Sequence, residues 1–582
     1  MASFPWLAHY DDGVPPTLQP YPERTLSDYL AETARERPQH PTLLFKGATV
    51  TAAELERLSD AFGAALVELG VRRGDRVALC LPNCPQFLIT QFGAWKAGAV
   101  VCPVNPTYTE HELADALSAS GAETLVVLTR FYEKAKVAQP RTAVRRVIAT
   151  SIKEYLPPVL RVAYTLLKEK KQGDRITRRD GDPCLAELLA RHRGTRPSAA
   201  LRGGPGEVAT ILMSGGTTGT PKGVVGTHRG MTIAGHQLRA WLRSAMREWT
   251  DTIMLPLPLF HTYANTGVQS LAMINHNPIA LVPNPRELGD VLKEINSVRP
   301  AFICAVPTLL SGMMNHSLAR AGKVDFRSIK LCFSGAAPLM AETQRRFEAL
   351  TGGVIVEGYS LTEAQMAVVA NPAVGTKKIG SVGMPLPDVE VRILDADDGR
   401  TPIAQGEVGE IVIRAPQLMR EYWQRPEETR EMLRAGPQGE PLLYTGDLGY
   451  LDEDGYLFIV DRKKDLIKAS GFQVWPREVE EVIAAHPAVA EVGVAGIPDA
   501  AKGEVVKAWV VLRPGSTATA GELGTWCRER LVAYKAPSQY EFVSELPKSQ
   551  IGKVLRRLLR QQEMAKRAGG EGAARDVAAR AP

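Results

Sequence analysis

The 582-residue chain has little of what marks the specialised protein classes. Its seven cysteines, at 80, 84, 102, 184, 304, 332 and 527, are odd in number and scattered. Only Cys80 and Cys84 are close, and no second Cys or His pair completes a zinc set. That excludes a disulfide framework and a zinc module, and predicts small buried thiols in a reducing compartment. No window approaches the roughly 20 apolar residues of a membrane span. The opening "MASFPWLAHYDDG" has neither the basic region nor the apolar core of a signal peptide. The net charge of +6 is small for this length, which argues against nucleic acid as a partner. A soluble, cytoplasmic protein is expected, with any membrane contact peripheral and on the inner face.

What is there is ordinary globular material, 45% hydrophobic and 23% charged. The length exceeds what one core supports, so two or more domains are expected. Helical patterns alternate with short apolar runs such as "RVALCLP" (76–82), "ETLVVLT" (123–129), "AFICAVP" (301–307) and "KLCFSGA" (330–336). This texture predicts an α/β protein with largely parallel sheets. In "TAAELERLSDAFGAALVELG" (51–70) Thr51 is the expected N-cap, Glu54 stands at the capping-box position, and Gly70 is the stop.

After about residue 380 the runs shorten and alternate, as in "VEVRILDADDGR" and "GEVGEIVIRAP", which predicts a small antiparallel barrel or sheet. A further unit begins near "DRKKDLIK" (461–468), so the domain boundary is placed at 461, with 1–461 as the large N-terminal domain and 462–563 as a small α+β domain. The tail 564–582 is Ala/Gly/Arg-rich with almost no large apolar residues, and disorder is expected. In "LPPVLRVAYTLLKEKKQG" (156–173) apolar residues follow helical spacing and Arg161, Lys168, Lys170 and Lys171 add charge. Two readings stand: a surface helix packed on the core, or a basic amphipathic helix lying in a membrane interface.

The segment "MSGGTTGTPKGV" (213–224) has the composition of a phosphate cradle, rich in glycines, hydroxyls and a lysine. It is not a Walker loop, because Lys222 follows Pro221 and precedes Gly223 rather than Ser or Thr. Further along come "LPLFHTYA" (257–264), "SGAAPL" (334–339), "GYSLTE" (358–363), "YTGDLG" (444–449), "DRKKDLIKASGFQVWPREVE" (461–480) and "PKSQIGKVLRR" (547–557).

In this order the motifs resemble those of the adenylate-forming enzymes, which include acyl-CoA synthetases, 4-coumarate-CoA ligases, firefly luciferases and peptide-synthetase adenylation domains. The resemblance implies two parallel-rich α/β subdomains plus a small β-barrel, followed by a mobile C-terminal domain. It also implies ATP and CoA as substrates, with Mg2+. Joining a carboxylate to the α-phosphate brings two anions together, so positive charge must gather there while donors hold the leaving pyrophosphate.

By resemblance, Ser214, Gly215, Gly216, Thr217, Thr218, Gly219, Thr220, Pro221 and Lys222 close over the leaving phosphates. Thr362 and Glu363 lie at the α-phosphate, with Glu363 on Mg2+ and Ser214 assisting. Gly335, Ala336, Gly358 and Tyr359 form the adenine pocket. Asp447 takes the ribose hydroxyls with Arg462 beside it. Lys553 bridges carboxylate and α-phosphate as the acyl-adenylate forms. Lys468 and Gly471 serve thioester formation, Lys464 is the hinge, and His261 stands between the carboxylate and the acyl tunnel.

"DRKKD", "MSGGTTG" and the 151–180 insertion look most like bacterial long-chain fatty acyl-CoA synthetases, whereas "RAGPQGEPLLYTGDLG" departs from that group's Asp/Asn-Gly-Trp run. Medium- to long-chain fatty acids are the expected substrates. An aryl acid-CoA ligase and a fatty acyl-AMP ligase loading a carrier protein remain alternatives, and a homodimer is a further expectation.

Overall fold

The protein, in a computed structural model, is described over residues 4–179, 181–214, 222–469, 472–499, 503–548 and 553–578. The expected residues Gly215, Gly216, Thr217, Thr218, Gly219, Thr220, Pro221 and Gly471 lie outside these. The chain divides into two compact units, Met1–Glu390 with Ile413–Leu443, and Val391–Val412 with Tyr444–Pro582.

The first unit holds two large sheets. One has six strands in the order Arg146–Thr150, Thr124–Leu128, Arg76–Cys80, Val100–Pro103, Val208–Ser214 and Lys222–Thr227, parallel except for the last pair. The other has nine, and its centre, from Val354–Leu361 through Leu331–Ser334, Phe302–Ala305, Ile253–Leu255 and Ile279–Leu281 to Pro41–Phe45, is parallel. The α/β fold with two parallel-rich subdomains is therefore borne out. The apolar runs of the sequence are strands buried on both faces, which is why they show no alternation.

Helix Ala52–Glu68 starts where its cap predicts, with the Thr51 hydroxyl accepting the Glu54 amide at 3.2 Å. It crosses helix Pro85–Lys96 closely, since a Cβ on Gly93 would fall 2.8 Å from the Ser59 carbonyl. Every residue of Pro85–Lys96 is buried, Lys96 included. The Lys96 ammonium donates to Glu56 at 2.7 Å and to Asp60 and Ser59 at 2.8 Å, an ion cluster that ties the two helices together. Burial pushes the Cys80, Cys84, Cys102 and Cys304 thiols up to about 12, as expected of inert structural cysteines.

In the second unit strand Gly503–Leu512 lies between Val489–Asp499 and Gln539–Phe542, and its centre is buried on both faces. Val506, Ala508 and Val510 join a core with Ile467, Val479, Ile483 and Leu523, while Val505 and Trp509 face Leu546 and Leu559.

The compact division does not fall at 461, because strand Leu457–Arg462 is bonded along its length to residues 447–451, so 391–412 and 444–461 belong with the second unit. The Ala/Gly/Arg-rich tail lies within helix Arg556–Ala578 as far as the end of that helix. Its composition precludes a core of its own, but Ala, Arg, Glu and Gln are strong helix formers.

Candidate active site

In the first unit, antiparallel strands Val208–Ser214 and Lys222–Thr227 bring Ser214 opposite Lys222, and the Ser214 hydroxyl donates to the Lys222 carbonyl at 3.3 Å. The segment 420–423 runs beside the second of these strands. The Val225 amide donates to the Glu421 carbonyl at 2.9 Å and the Trp423 amide to that of Gly223 at 2.7 Å. This pairing sets Tyr422 under Lys222, whose ammonium lies 5.1 Å from the ring centre. The Tyr422 hydroxyl in turn donates to Glu363 Oε1 at 2.7 Å, and burial together with the Glu363 charge raises the phenol above its ordinary value. Ser214, Lys222 and Glu363, spread over 150 residues of sequence, are thus joined through one tyrosine.

Glu363 and Thr362 belong to the turn between antiparallel strands Val354–Leu361 and Met366–Ala370. Strand Leu331–Ser334 runs parallel to the first of these with Ser334 opposite Glu357, so Gly335 and Ala336 leave the sheet beside Gly358 and Tyr359. A Cβ on Gly335 would stand 3.3 Å from the Gly358 carbonyl oxygen and 3.5 Å from the Tyr263 ring. Ala336 takes φ of 68°, a left-handed conformation that costs a non-glycine residue free energy and that clusters at ligand sites. Ser214, Gly335, Ala336, Thr362 and Glu363 lie at or just past the carboxyl ends of strands that pair in parallel, where open α/β sheets bind their ligands.

His261 precedes a buried π-helical stretch, Tyr263–Val268. Its Nδ1 accepts the Tyr263 amide at 3.3 Å, which leaves the proton of the neutral ring on Nε2. Desolvation pushes the imidazole down to about 4, so at neutral pH it is an uncharged hydrogen-bond donor.

In the second unit Asp447 and Arg462 are register partners of an antiparallel pair, and Arg462 Nε lies 3.0 Å from Asp447 Oδ1. Lys553 joins them from a distant part of the chain. Burial, then the neighbouring Arg462 charge, pushes its ammonium down to about 8, while Asp447 acts in the opposite direction. Three of the expected residues are therefore assembled within this unit alone. Lys464 lies exposed in the turn that follows Arg462. Lys468 stands exposed on strand Ile467–Ala469, in a different sheet from Asp447, with its amide bonded to Glu504 at 3.0 Å.

The sequence reading missed two sets of residues. Tyr422, in "REYWQRP", offers no motif of its own. Asp461 accepts the Arg462 amide and Arg556 Nη1 at 2.7 Å and the Arg477 amide at 2.8 Å, and Arg556 also pairs with Glu480 at 2.6 Å. Burial would lower the Arg556 pKa, but the carboxylates of Glu480, Asp461 and Asp465 raise it above its ordinary value. This lattice fixes the strand that carries Arg462. The three-residue spacing of Arg556 from Lys553 was its one visible signal.

Residues 30–423 match the family described as AMP-binding enzyme, and residues 478–553 match its C-terminal domain. The chain belongs to the AMP-binding enzyme family. This AMP-binding enzyme is 37% identical over 561 residues to the long-chain-fatty-acid–CoA ligase of Bacillus subtilis, covering 96% of this chain and 98% of that one. It is 35% identical over 575 residues to the protein of that name from Escherichia coli O6:H1, with the same coverage. It is 32% identical over 543 residues to 4-coumarate–CoA ligase 2 of Oryza sativa subsp. japonica, covering 92% of each. Among solved structures it is similar to the anthranilate CoA ligase AuaEII in complex with anthranoyl-AMP, at a TM-score of 0.82, 25% identity and 95% and 99% coverage. ATP-bound MatB from Rhodopseudomonas palustris superposes at a TM-score of 0.77, with 27% identity and 92% and 98% coverage. The resemblance to adenylate-forming acyl-CoA synthetases, drawn from ordered motifs, is borne out over nearly the whole AMP-binding enzyme.

Proposed function

We propose that this AMP-binding enzyme is an ATP-dependent acyl-CoA ligase that activates medium- to long-chain fatty acids through an acyl-adenylate, forming AMP and pyrophosphate. The observation that carries the reading is the Asp447, Arg462 and Lys553 cluster. A carboxylate and a positive charge stand side by side, as recognition of a ribose and stabilisation of charge at an α-phosphate require. The substrate class is supported by full-length similarity to ligases named for long-chain fatty acids in several bacteria.

In this reading the fatty acid carboxylate attacks the α-phosphorus, the bond to the β-phosphate oxygen breaks, and pyrophosphate leaves. Lys553 neutralises charge as carboxylate and phosphate approach. Neutral His261 donates from Nε2 toward the carboxylate without adding a proton to it. Lys222 and the 214–221 segment hold the leaving phosphates, while Gly335, Ala336, Gly358 and Tyr359 hold the base. CoA thiolate then attacks the acyl carbon and AMP departs, with Lys468 and Gly471 serving this step and Lys464 at the swivel between the two states.

Glu363 and Ser214 would hold Mg2+. The ion takes one or two protein carboxylates plus phosphate oxygens and water, and among the described residues no set of three His, Cys, Asp or Glu side chains forms a metal cage, so a single carboxylate fits it. Bound there, it would neutralise phosphate charge.

The test is ATP–pyrophosphate exchange and acyl-CoA formation with a panel of acids. Exchange with dodecanoate to octadecanoate and none with cinnamates supports the reading, and the reverse overturns it in favour of the 4-coumarate ligase alternative. Adenylate formation without thioester formation from free CoA would point instead to carrier-protein loading. A homodimer belongs to the same proposal and is tested by sedimentation. Among the described residues no helix is long and apolar enough to cross a membrane.

A further inference from the structure

Helix Pro158–Leu167 has no buried residue. Val159 is 80% exposed, Leu160 47%, Val162 60%, Leu166 77% and Leu167 74%. Residues 159, 162, 166 and 167 recur at helical spacing and form one apolar face about 15 Å long. A surface helix ordinarily turns such a face inward, and of the two readings of the sequence the structure favours the other.

The reason lies in what anchors the helix. The Tyr164 hydroxyl donates to Asp174, which also takes Arg130 at 2.9 Å and the Thr129 hydroxyl at 3.0 Å. Arg161 donates to the Glu154 carbonyl at 2.8 Å. Just after the helix, Lys153 pairs with Glu169 at 2.6 Å. The attachments to the body of the unit are polar, and they hold the apolar side outward.

Charge follows the same division. Between 156 and 175 the acidic residues are Glu169 and Asp174, both buried and paired. Lys168, Lys170, Lys171 and Arg175, which follow the helix, are all exposed, whereas Arg161 is turned to the Glu154 and Leu156 carbonyls. Apolar side chains and uncompensated positive charge therefore share one outward surface.

We propose that this surface docks the protein on an anionic phospholipid bilayer, with Val159, Val162, Leu166 and Leu167 entering the acyl boundary and the lysines resting among the headgroups. The two signals are complementary, since apolar insertion of a short helix is weak alone and is reinforced by attraction to anionic lipid. A second copy of this chain is disfavoured as the occupant. A two-fold interface through this helix would set four exposed basic residues against the same four. The docking does not depend on which acid the enzyme activates, so it stands or falls separately from the proposed function.

The experiment is co-sedimentation of the full chain with vesicles of phosphatidylcholine, with and without phosphatidylglycerol. Binding is expected only with the anionic lipid and is expected to weaken as salt is raised. Leu166→Glu combined with Leu167→Glu should lower the partition coefficient at least about a hundredfold. Lys168→Glu with Lys170→Glu and Lys171→Glu should abolish the dependence on phosphatidylglycerol. Because these side chains are exposed, circular dichroism and melting should not change. In Leu166→Trp, the new indole fluorescence should be quenched by brominated lipid. Unaltered vesicle binding by the double Glu variant, absence of quenching, or a vesicle-free dimer dissolved by the same variant would each overturn the proposal.

Discussion

Two lysines, buried Lys96 in the first unit and half-buried Lys553 in the second, make opposite statements about what a desolvated charge is for. Lys96 lies between helices Ala52–Glu68 and Pro85–Lys96 with Glu56, Asp60 and Ser59 all within 2.8 Å, so its charge is matched where it is desolvated. Lys553 is desolvated beside Arg462 and Arg556, with Asp447 and Asp465 only partly opposing them, and its pKa falls to about 8. The first lysine is satisfied by the fold. Burial and the neighbouring guanidiniums disfavour the charge of the second, as is common at functional sites.

Breaking that comparison at Lys553 should have the largest effect on activity. Lys553→Ala is expected to slow acyl-adenylate formation by about a hundred- to a thousandfold, as for loss of a preorganised electrostatic group. Its melting temperature should be unchanged or raised, because burial disfavours the charge that is removed. ATP–pyrophosphate exchange and calorimetry measure the two sides. Lys96→Ala should do the reverse. It leaves Glu56 and Asp60 buried without their ammonium, so about 3–5 kcal/mol of stability is expected to be lost. Urea unfolding measures this, while kcat of the protein still folded at low temperature should stay near wild type.

A pH titration sharpens the contrast. The folded pKa of Lys553 lies below that of a free lysine, so folding releases its proton between about 8 and 10.5. The cost of holding this charge is therefore present below pH 8 and disappears as pH rises through that window. In the ligand-free protein, acetylation of Lys553 followed by mass spectrometry should rise with a midpoint near 8, and bound AMP should move the midpoint upward. A midpoint near that of exposed lysines would remove the distinction between the two residues.

Tyr422→Phe is expected to have a smaller effect. It removes one hydrogen bond to a carboxylate, about 1.5–3 kcal/mol, and should raise KM for ATP more than it lowers kcat if Tyr422 positions Glu363. The smallest change is expected for Thr51→Ala, about 1 kcal/mol of stability from the lost N-cap and none of activity.

Much of the candidate site was legible because adenylation demands particular side chains in local strings, such as "GYSLTE" for Thr362 and Glu363 or "YTGDLG" for Asp447. What was not legible depended on pairing between distant segments. Tyr422 reaches Glu363 only because residues 420–423 lie along strand Lys222–Thr227. Asp461 becomes a junction only because Arg477 and Arg556 converge on it. The pairing of strand Leu457–Arg462 with residues 447–451 was hidden for the same reason, since a change of sequence texture does not reveal which strands share a ladder.

Helices Pro85–Lys96 and Pro158–Leu167 show where the division between sequence and structure lies. Each begins with proline and is rich in apolar residues, yet one is buried all round and the other has no buried residue. Local composition and spacing pointed to the helix at 156–173, to parallel large sheets and to the residue types the chemistry would use, because these follow from backbone preferences and from the charge on the reactants. Only the tertiary structure decided which way a face points and which distant groups meet. Burial and pairing are properties of the assembled chain: the same lysine is neutralised or strained, and the same leucine is core or surface, according to what the rest of the fold brings to it.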